Sequence, residues 1–200
     1  MQKNKKLQRF IKIYKIILIM FYEVQIYDVV RVPPNEITDN ANEMIERILL
    51  NNYVGMGGKE YGIIVTIKSI DEISDGIMVF EDGGIYYKVK FTAISYLPII
   101  SELTYGFVSS ITEFGAFINI GPIDALVHIS QIMDDEVSIS GREALIGKNS
   151  KRVLKVNDMV KARIVTVSYK GVSNVRIAMT MKQPGLGKLE WLEQKKKSSK

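Results

Sequence analysis

No cysteine and only one histidine occur among the 200 residues. The first absence excludes disulfides, thiol catalysis, iron–sulfur clusters and every zinc site with thiolate ligands. The second excludes metal sites built from several imidazoles. Long apolar runs are missing too: nothing reaches the ~18 residues that a transmembrane helix needs, so no membrane partner is expected. A chain without disulfides fits the cytoplasm, the compartment expected for it. What is present is an ordinary globular composition, 46% apolar and 24% charged, with length for one large or two small domains.

Positive charge is scarce where a nucleic acid would need it. The net charge of +5 comes from 27 Lys and Arg against 22 Asp and Glu, but it is unevenly spread. Residues 1–19 hold six basic residues and no acid, and residues 182–200 hold six basic and two acidic. Between them, 20–100 carries 6 basic against 12 acidic residues, and 101–181 carries 9 against 8. Binding by bulk neutralisation of phosphates calls for a basic body. This body is acidic in its first half and near neutral in its second. Any nucleic acid must be held by something beyond net charge.

The leader, 1–19, runs from basic residues into a short apolar stretch, Ile16 to Phe21. That stretch is too short for a secretory signal, and no small-residue cleavage site follows. A disordered basic tail is expected, or a start assigned too early with Met20 as the natural first residue; a helix on a membrane or nucleic acid is the other reading.

Residues 20–100 predict a small α+β domain. Phe21 to Arg31 reads as a strand and Pro33-Pro34 stops it. Asn35 or Thr38 caps a helix on which Ala41, Met44, Ile45, Ile48 and Leu49 share one face. Gly55-Met56-Gly57-Gly58 reads as a flexible loop, Tyr61 to Ile73 as a strand, and Asp75-Gly76 and Asp82-Gly83-Gly84 as turns between short strands up to Leu97. The order β-α-β-β-β implies one sheet with a helix on its face. Pro98 and the polar Ser101-Glu102 mark the boundary. Residues 101–182 then show five short strands, at 104–111, 116–120, 125–129, 158–168 and 175–181, with a long connection at 130–157. This spacing predicts a five-stranded all-β barrel of the OB type. Residues 183–200 read as a short helix and a basic end.

Strand alternation decides what the barrel offers to solvent. With Ala116, Ile118 and Ile120 inward, Phe117 and Asn119 point out. With Ala125, Val127 and Ile129 inward, Leu126 and His128 point out. Lys161, Arg163 and Arg176 are outward by the same rule, and Phe114 joins them if Gly115 permits a bulge. Outward aromatics stack on bases and outward cations follow phosphates, which is what a single-strand binding face requires. Plainer readings stay open for each residue taken alone: a phenylalanine covering the barrel mouth or meeting a partner protein, solvated edge cations, a surface histidine.

Tyr105-Gly106-Phe107-Val108, Phe114-Gly115-Ala116-Phe117-Ile118, Ala125-Leu126-Val127-His128-Ile129-Ser130 and Arg176-Ile177-Ala178-Met179 fall in one order over residues 105–179. They resemble the S1 RNA-binding domain, an OB-type barrel. The resemblance implies that Phe114, Phe117, His128 and Arg176 line an RNA face. The S1 pattern also places an aspartate shortly before the arginine, where this chain has Ser168 and a lengthened turn at 169–174. The order of domains, together with Gln131-Ile132-Met133-Asp134-Asp135 and the stretch Gln183 to Trp191, resembles the stalk-subunit family of RNA polymerases. That family includes the E-prime subunit of the archaeal enzyme and the seventh subunit of eukaryotic RNA polymerase II. This second resemblance covers 20–194. It implies a truncated RNP-like first domain that docks on the polymerase core and forms a heterodimer with the polymerase's F subunit, beside emerging single-stranded RNA. It places Gly55, Gly57, Gly58 and Lys59 near the docking tip.

No catalytic constellation accompanies these features. Gly141 to Asn149 has the wrong spacing for a phosphate loop, and Asn149 stands where Ser or Thr is needed. Gly55 to Glu60 lacks the third glycine of a dinucleotide loop and follows a helix. Asp134-Asp135-Glu136 reads as a solvated loop. The expectation is a non-catalytic RNA polymerase subunit without cofactor or metal. An S1 subunit of the exosome cap or of translation initiation is the alternative.

Overall fold

The computed structural model describes residues 10–18, 20–79, 82–141, 144–171 and 175–198. Two compact units emerge, one ending at Leu97 and one running from Pro98 to Lys170 and again from Val175. The first contains β1 (Phe10–Leu18), β2 (Phe21–Val32), α1 (Ala41–Tyr53), β3 (Gly57–Gly58), β4 (Gly62–Ile73), β5 (Ile77–Met78) and β6 (Ile85–Tyr96). Its sheet runs β1-β2-β6-β4-β3, with β5 also on β6, and every pairing is antiparallel.

Two periodicities meet to make this unit's core. In β2 and β6, alternate residues Val24, Ile26, Val89, Phe91 and Ala93 turn to one face. Helix α1 lays Met44, Ile45, Ile48, Leu49 and Tyr53 on that face, all buried. Phe91 is wholly buried, and the Tyr53 ring meets it edge-on with centroids 4.9 Å apart. The helix starts later than its sequence suggests. Asn40 is the cap, its side chain accepting from the Glu43 N–H at 3.3 Å, while Pro34–Glu36 forms a separate 3-10 turn. Asn35 lies inside that turn and Thr38 precedes the cap, so neither reaches the first helical N–H groups.

The leader also departs from the expected tail. Phe10–Leu18 is an edge strand, paired with β2 from Phe10↔Tyr27 to Leu18↔Phe21. Its dense Ile content suits a strand laid along an existing one, but the template is β2 itself, which a reading of the leader alone does not supply. Residues 1–9 lie outside the described set.

The second unit holds β7 (Leu103–Thr112), β8 (Gly115–Asn119), β9 (Asp124–His128), β10 (Val137–Ser140), β11 (Ala144–Gly147), β12 (Val153–Lys155), β13 (Met159–Tyr169), β14 (Val175–Thr180), β15 (Gly187–Lys188) and α2 (Leu189–Ser198). The order β14-β9-β8-β7-β13 closes on itself through β13–β14, giving the five-stranded barrel. Every predicted barrel strand is present within a residue or two. The pair β9–β14 is parallel and the other barrel pairs are antiparallel. Inside lie Val108, Ile118, Val127, Val160, Ile164 and Met179.

The long connection is itself built, because β10, β11 and β12 form a small antiparallel sheet. Asp135, expected in a solvated loop, is its staple. One carboxylate oxygen accepts from the Ser150 N–H at 2.7 Å and the Asn149 N–H at 3.0 Å. The other accepts from the Glu136 N–H at 2.7 Å and the Asn149 side-chain amide at 2.9 Å. These donors, the Ser150 N–H foremost, hold the carboxyl well below the usual carboxylate range. A depressed folded-state pKa gives stability that is present above the unfolded value of about 3.9 and is lost as pH falls further. The wild-type melting temperature should therefore drop more steeply below about pH 4 than that of Asp135→Asn. Equal slopes would show that this carboxylate is not the cause.

Candidate nucleic-acid interface

The outer wall follows from the inner one. Because Ala116, Ile118, Ala125 and Val127 are fully buried, Phe117, Asn119, Leu126 and His128 face outward. Pairing then fixes neighbours across strands. Ser110, Phe117, Leu126, Ala178 and Thr166 form one row over β7, β8, β9, β14 and β13. Its members Phe117, Leu126, Ala178 and Thr166 are the floor of an open groove of about 530 Å³. Arg176 and Ser168, opposite each other on β14 and β13, stand at its side, and Asp124 lines it from β9.

His128 pairs with Gly115 at the next outward position of β9. Its Nδ1 accepts from the Ser130 N–H at 3.3 Å and lies 2.9 Å from the Ser130 hydroxyl. A neutral ring that accepts at Nδ1 carries its proton on Nε2. Gly115 has φ of +145°, and a Cβ there would sit 2.1 Å from the Val127 carbonyl oxygen. Only glycine lets β8 begin this close to β9. Phe114, in the turn just before it, is 63% exposed.

Phe117 and Arg176 thus share the groove, while His128, one outward position further along β9, and Phe114, in the turn before Gly115, are not among its lining residues. Lys161 and Arg163 do not line it. They lie on the opening half of β13, in register with Tyr105 and Leu103 of β7. The Lys161 ammonium sits 5.5 Å from the Tyr105 ring centre. Arg163 is half-buried and its Nε has no hydrogen-bond partner among the described residues. Both point outward as alternation requires, but a closed barrel has more than one outside.

Several residues escaped the sequence reading. Leu103, Tyr105, Phe107 and Met159 are exposed apolar side chains beside Lys161 and Arg163, on alternate positions of β7 and at the start of β13. Asp124 was passed over too, although the parity that exposes Leu126 and His128 also exposes it. Its oxygens accept from the Ser109 hydroxyl and the Asn119 amide, each at 2.8 Å.

In the first unit the glycine segment is more ordered than a loop. Gly55, with φ of +82°, follows α1, and Gly57 and Gly58 pair with Ile63 and Gly62. Lys59, at the turn, is exposed. Among the described residues no group of three or more His, Cys, Asp or Glu side chains is arranged to hold a metal ion, and no helix is long and apolar enough to cross a membrane.

Comparison with known proteins bears on both units. Residues 101–175 match the S1 RNA binding domain, and residues 28–83 match the SHS2 domain found in the N terminus of Rpb7p, Rpc25p and MJ0397. The chain is 39% identical over 180 residues to DNA-directed RNA polymerase subunit Rpo7 of Saccharolobus solfataricus, covering 89% of this chain and 100% of that protein. It is 39% identical over 176 residues to Rpo7 of Sulfolobus acidocaldarius, covering 88% and 96%. It is 24% identical over 147 residues to DNA-directed RNA polymerase II subunit rpb7 of Dictyostelium discoideum, covering 72% and 86%.

Proposed function

Because the chain belongs to the Rpo7 family of DNA-directed RNA polymerase subunits, we propose that it acts as a stalk subunit whose mechanism is binding. Its first unit anchors on the polymerase core and on the F subunit, with the Gly55–Gly58 segment and Lys59 near the contact. Its barrel holds nascent single-stranded RNA in the cytoplasm. It carries no catalytic site of its own. The match over the full length of Rpo7, with an SHS2 domain before the S1 barrel, favours this reading over an exosome cap or translation initiation subunit.

One observation carries the RNA half: Phe117 and Arg176, on strands far apart in sequence, line a single open groove. A base stacks on the Phe117 face, and the chain's phosphates run past Arg176. His128 and Phe114 extend the contact beyond the groove. Lys161 and Arg163 take more distant phosphates around the barrel. With 9 basic residues against 8 acidic in 101–181, the barrel binds weakly alone, and tethering to the polymerase raises its local concentration of RNA. The full chain should bind an unstructured RNA decamer in fluorescence anisotropy and leave a duplex of the same length unbound, since paired bases present no face for stacking. Equal binding to both would remove stacking from the account. A tagged chain returned to its own cells should retrieve polymerase subunits; retrieval of exosome subunits instead would overturn the docking half.

A further inference from the structure

We propose that Asp124 makes the groove selective for guanine, an inference that rests on the RNA-binding reading above and names the base it prefers. The groove is largely apolar along its floor, with Phe117, Leu126 and Ala178 beside Thr166, and its charged lining among the described residues is Arg176 and Asp124. A carboxylate there works against phosphate contact, because both are anions. What it can recognise is the donor edge of a base. In a single strand the Watson–Crick edges are unpaired and open to side chains.

The four bases differ at that edge in a way a carboxylate can read. Guanine carries two adjacent donors, N1–H and the N2 amino group, at the spacing of two carboxylate oxygens. Adenine and cytosine pair their amino group with a ring-nitrogen acceptor, and uracil has one N–H between two carbonyls. Only guanine gives two hydrogen bonds without setting an acceptor against the carboxylate.

Asp124 is prepared for this task. Asn119 across the strand pair donates to Oδ1 and Ser109 donates to Oδ2, both at 2.8 Å, which fixes the rotamer. An ionised carboxylate has about four acceptor positions, so each oxygen keeps one for a ligand. No salt bridge ties Asp124 to a lysine or arginine among the described residues. Its position is also right: Asp124 lies two residues along β9 from Leu126, the cross-strand partner of Phe117. That places its carboxylate within side-chain reach of the edge of a base lying on the Phe117 ring.

The test uses the full chain and labelled uridine decamers that carry two central guanosines, inosines, cytidines or no substitution. Inosine keeps N1–H and lacks the amino group. The wild type should bind the guanosine decamer about tenfold more tightly than the uridine decamer, with inosine between them. In Asp124→Asn the preference should shrink to about twofold or less, because a rotatable amide serves uracil and guanine alike. Phe117→Ala should weaken every oligonucleotide together. A wild type that binds all four equally while Phe117→Ala weakens all overturns the selectivity and leaves the groove intact. A preference unchanged in Asp124→Asn also overturns it. A wild type that binds none of them, or a Phe117→Ala chain that binds as the wild type does, overturns the groove reading and the selectivity with it. Guanosine against inosine needs no variant, so the proposal stays testable if Asp124→Asn folds poorly.

Discussion

Phe91→Ala is expected to cost the first unit about 3–5 kcal/mol of stability. The ring is completely buried between the sheet and α1, and it meets Tyr53 edge-on. Removing it forfeits the transfer energy of a large apolar group and leaves a cavity lined by residues of both layers, such as Val89, Ile45 and Leu49. Domains of this size are stable by about 5–15 kcal/mol, so a large part of the margin goes. At about 4–8 °C per kcal/mol, the unfolding transition of this unit should fall by more than about 12 °C. The barrel has its own core, in Val108, Ile118, Val127, Ile164 and Met179. Its RNA binding at low temperature should therefore survive while retrieval of polymerase declines. Loss of both functions in parallel would mean that the two units do not fold independently.

Phe117→Ala is expected to weaken binding of an RNA decamer by about 1–3 kcal/mol, or roughly 5- to 150-fold. The ring is half-buried on the outer wall of the barrel, over Leu126 and not in the core. Truncation should accordingly leave the melting temperature nearly unchanged. What is lost is a planar apolar face for a base, while Arg176 keeps its charge. The slope of log affinity against log salt should thus stay where it was, because that slope counts neutralised phosphates. An unchanged affinity would exclude stacking on this ring. A changed salt slope would show that the truncation disturbed the cationic contacts and not the stack alone.

How much of this was legible in the sequence depended on whether a signal was local. The face of α1 was legible because Met44, Ile45, Ile48 and Leu49 repeat at helical spacing within one short stretch. Parity in β8 and β9 was legible for the same reason: Ala116-Phe117-Ile118 states its own inside and outside. Position around the barrel was not. Lys161 and Arg163 are outward, as alternation requires, but β13 pairs with β7 along its first half and with β14 along its second. That change of partner sends the two cations to a different wall from Arg176, and nothing within β13 announces it.

The helix cap failed on a finer scale, since Asn35, Thr38 and Asn40 all have capping side chains and only backbone geometry chooses among them. The β10–β12 sheet hid behind short, mixed strands whose ordering comes from Asp135, a residue that looks solvated until its four donors are in place. Asp124 was readable from parity. It was missed because an acidic residue on a proposed nucleic-acid face looks like an error until the edge of a base, and not its phosphate, is considered.

The parallel seam between β9 and β14 has a consequence for biosynthesis. It joins Leu126 and Val127 to Ala178 and Met179, and so brings the wall that carries Arg176 to a floor made much earlier. A ribosome-bound chain that has not yet released Val175–Thr180 displays Phe117 on an unclosed sheet, with no opposite bank. On the proposed RNA-binding reading, competence to grip a transcript arrives late in translation, and truncation before this last barrel strand should silence the barrel however well the preceding strands are made.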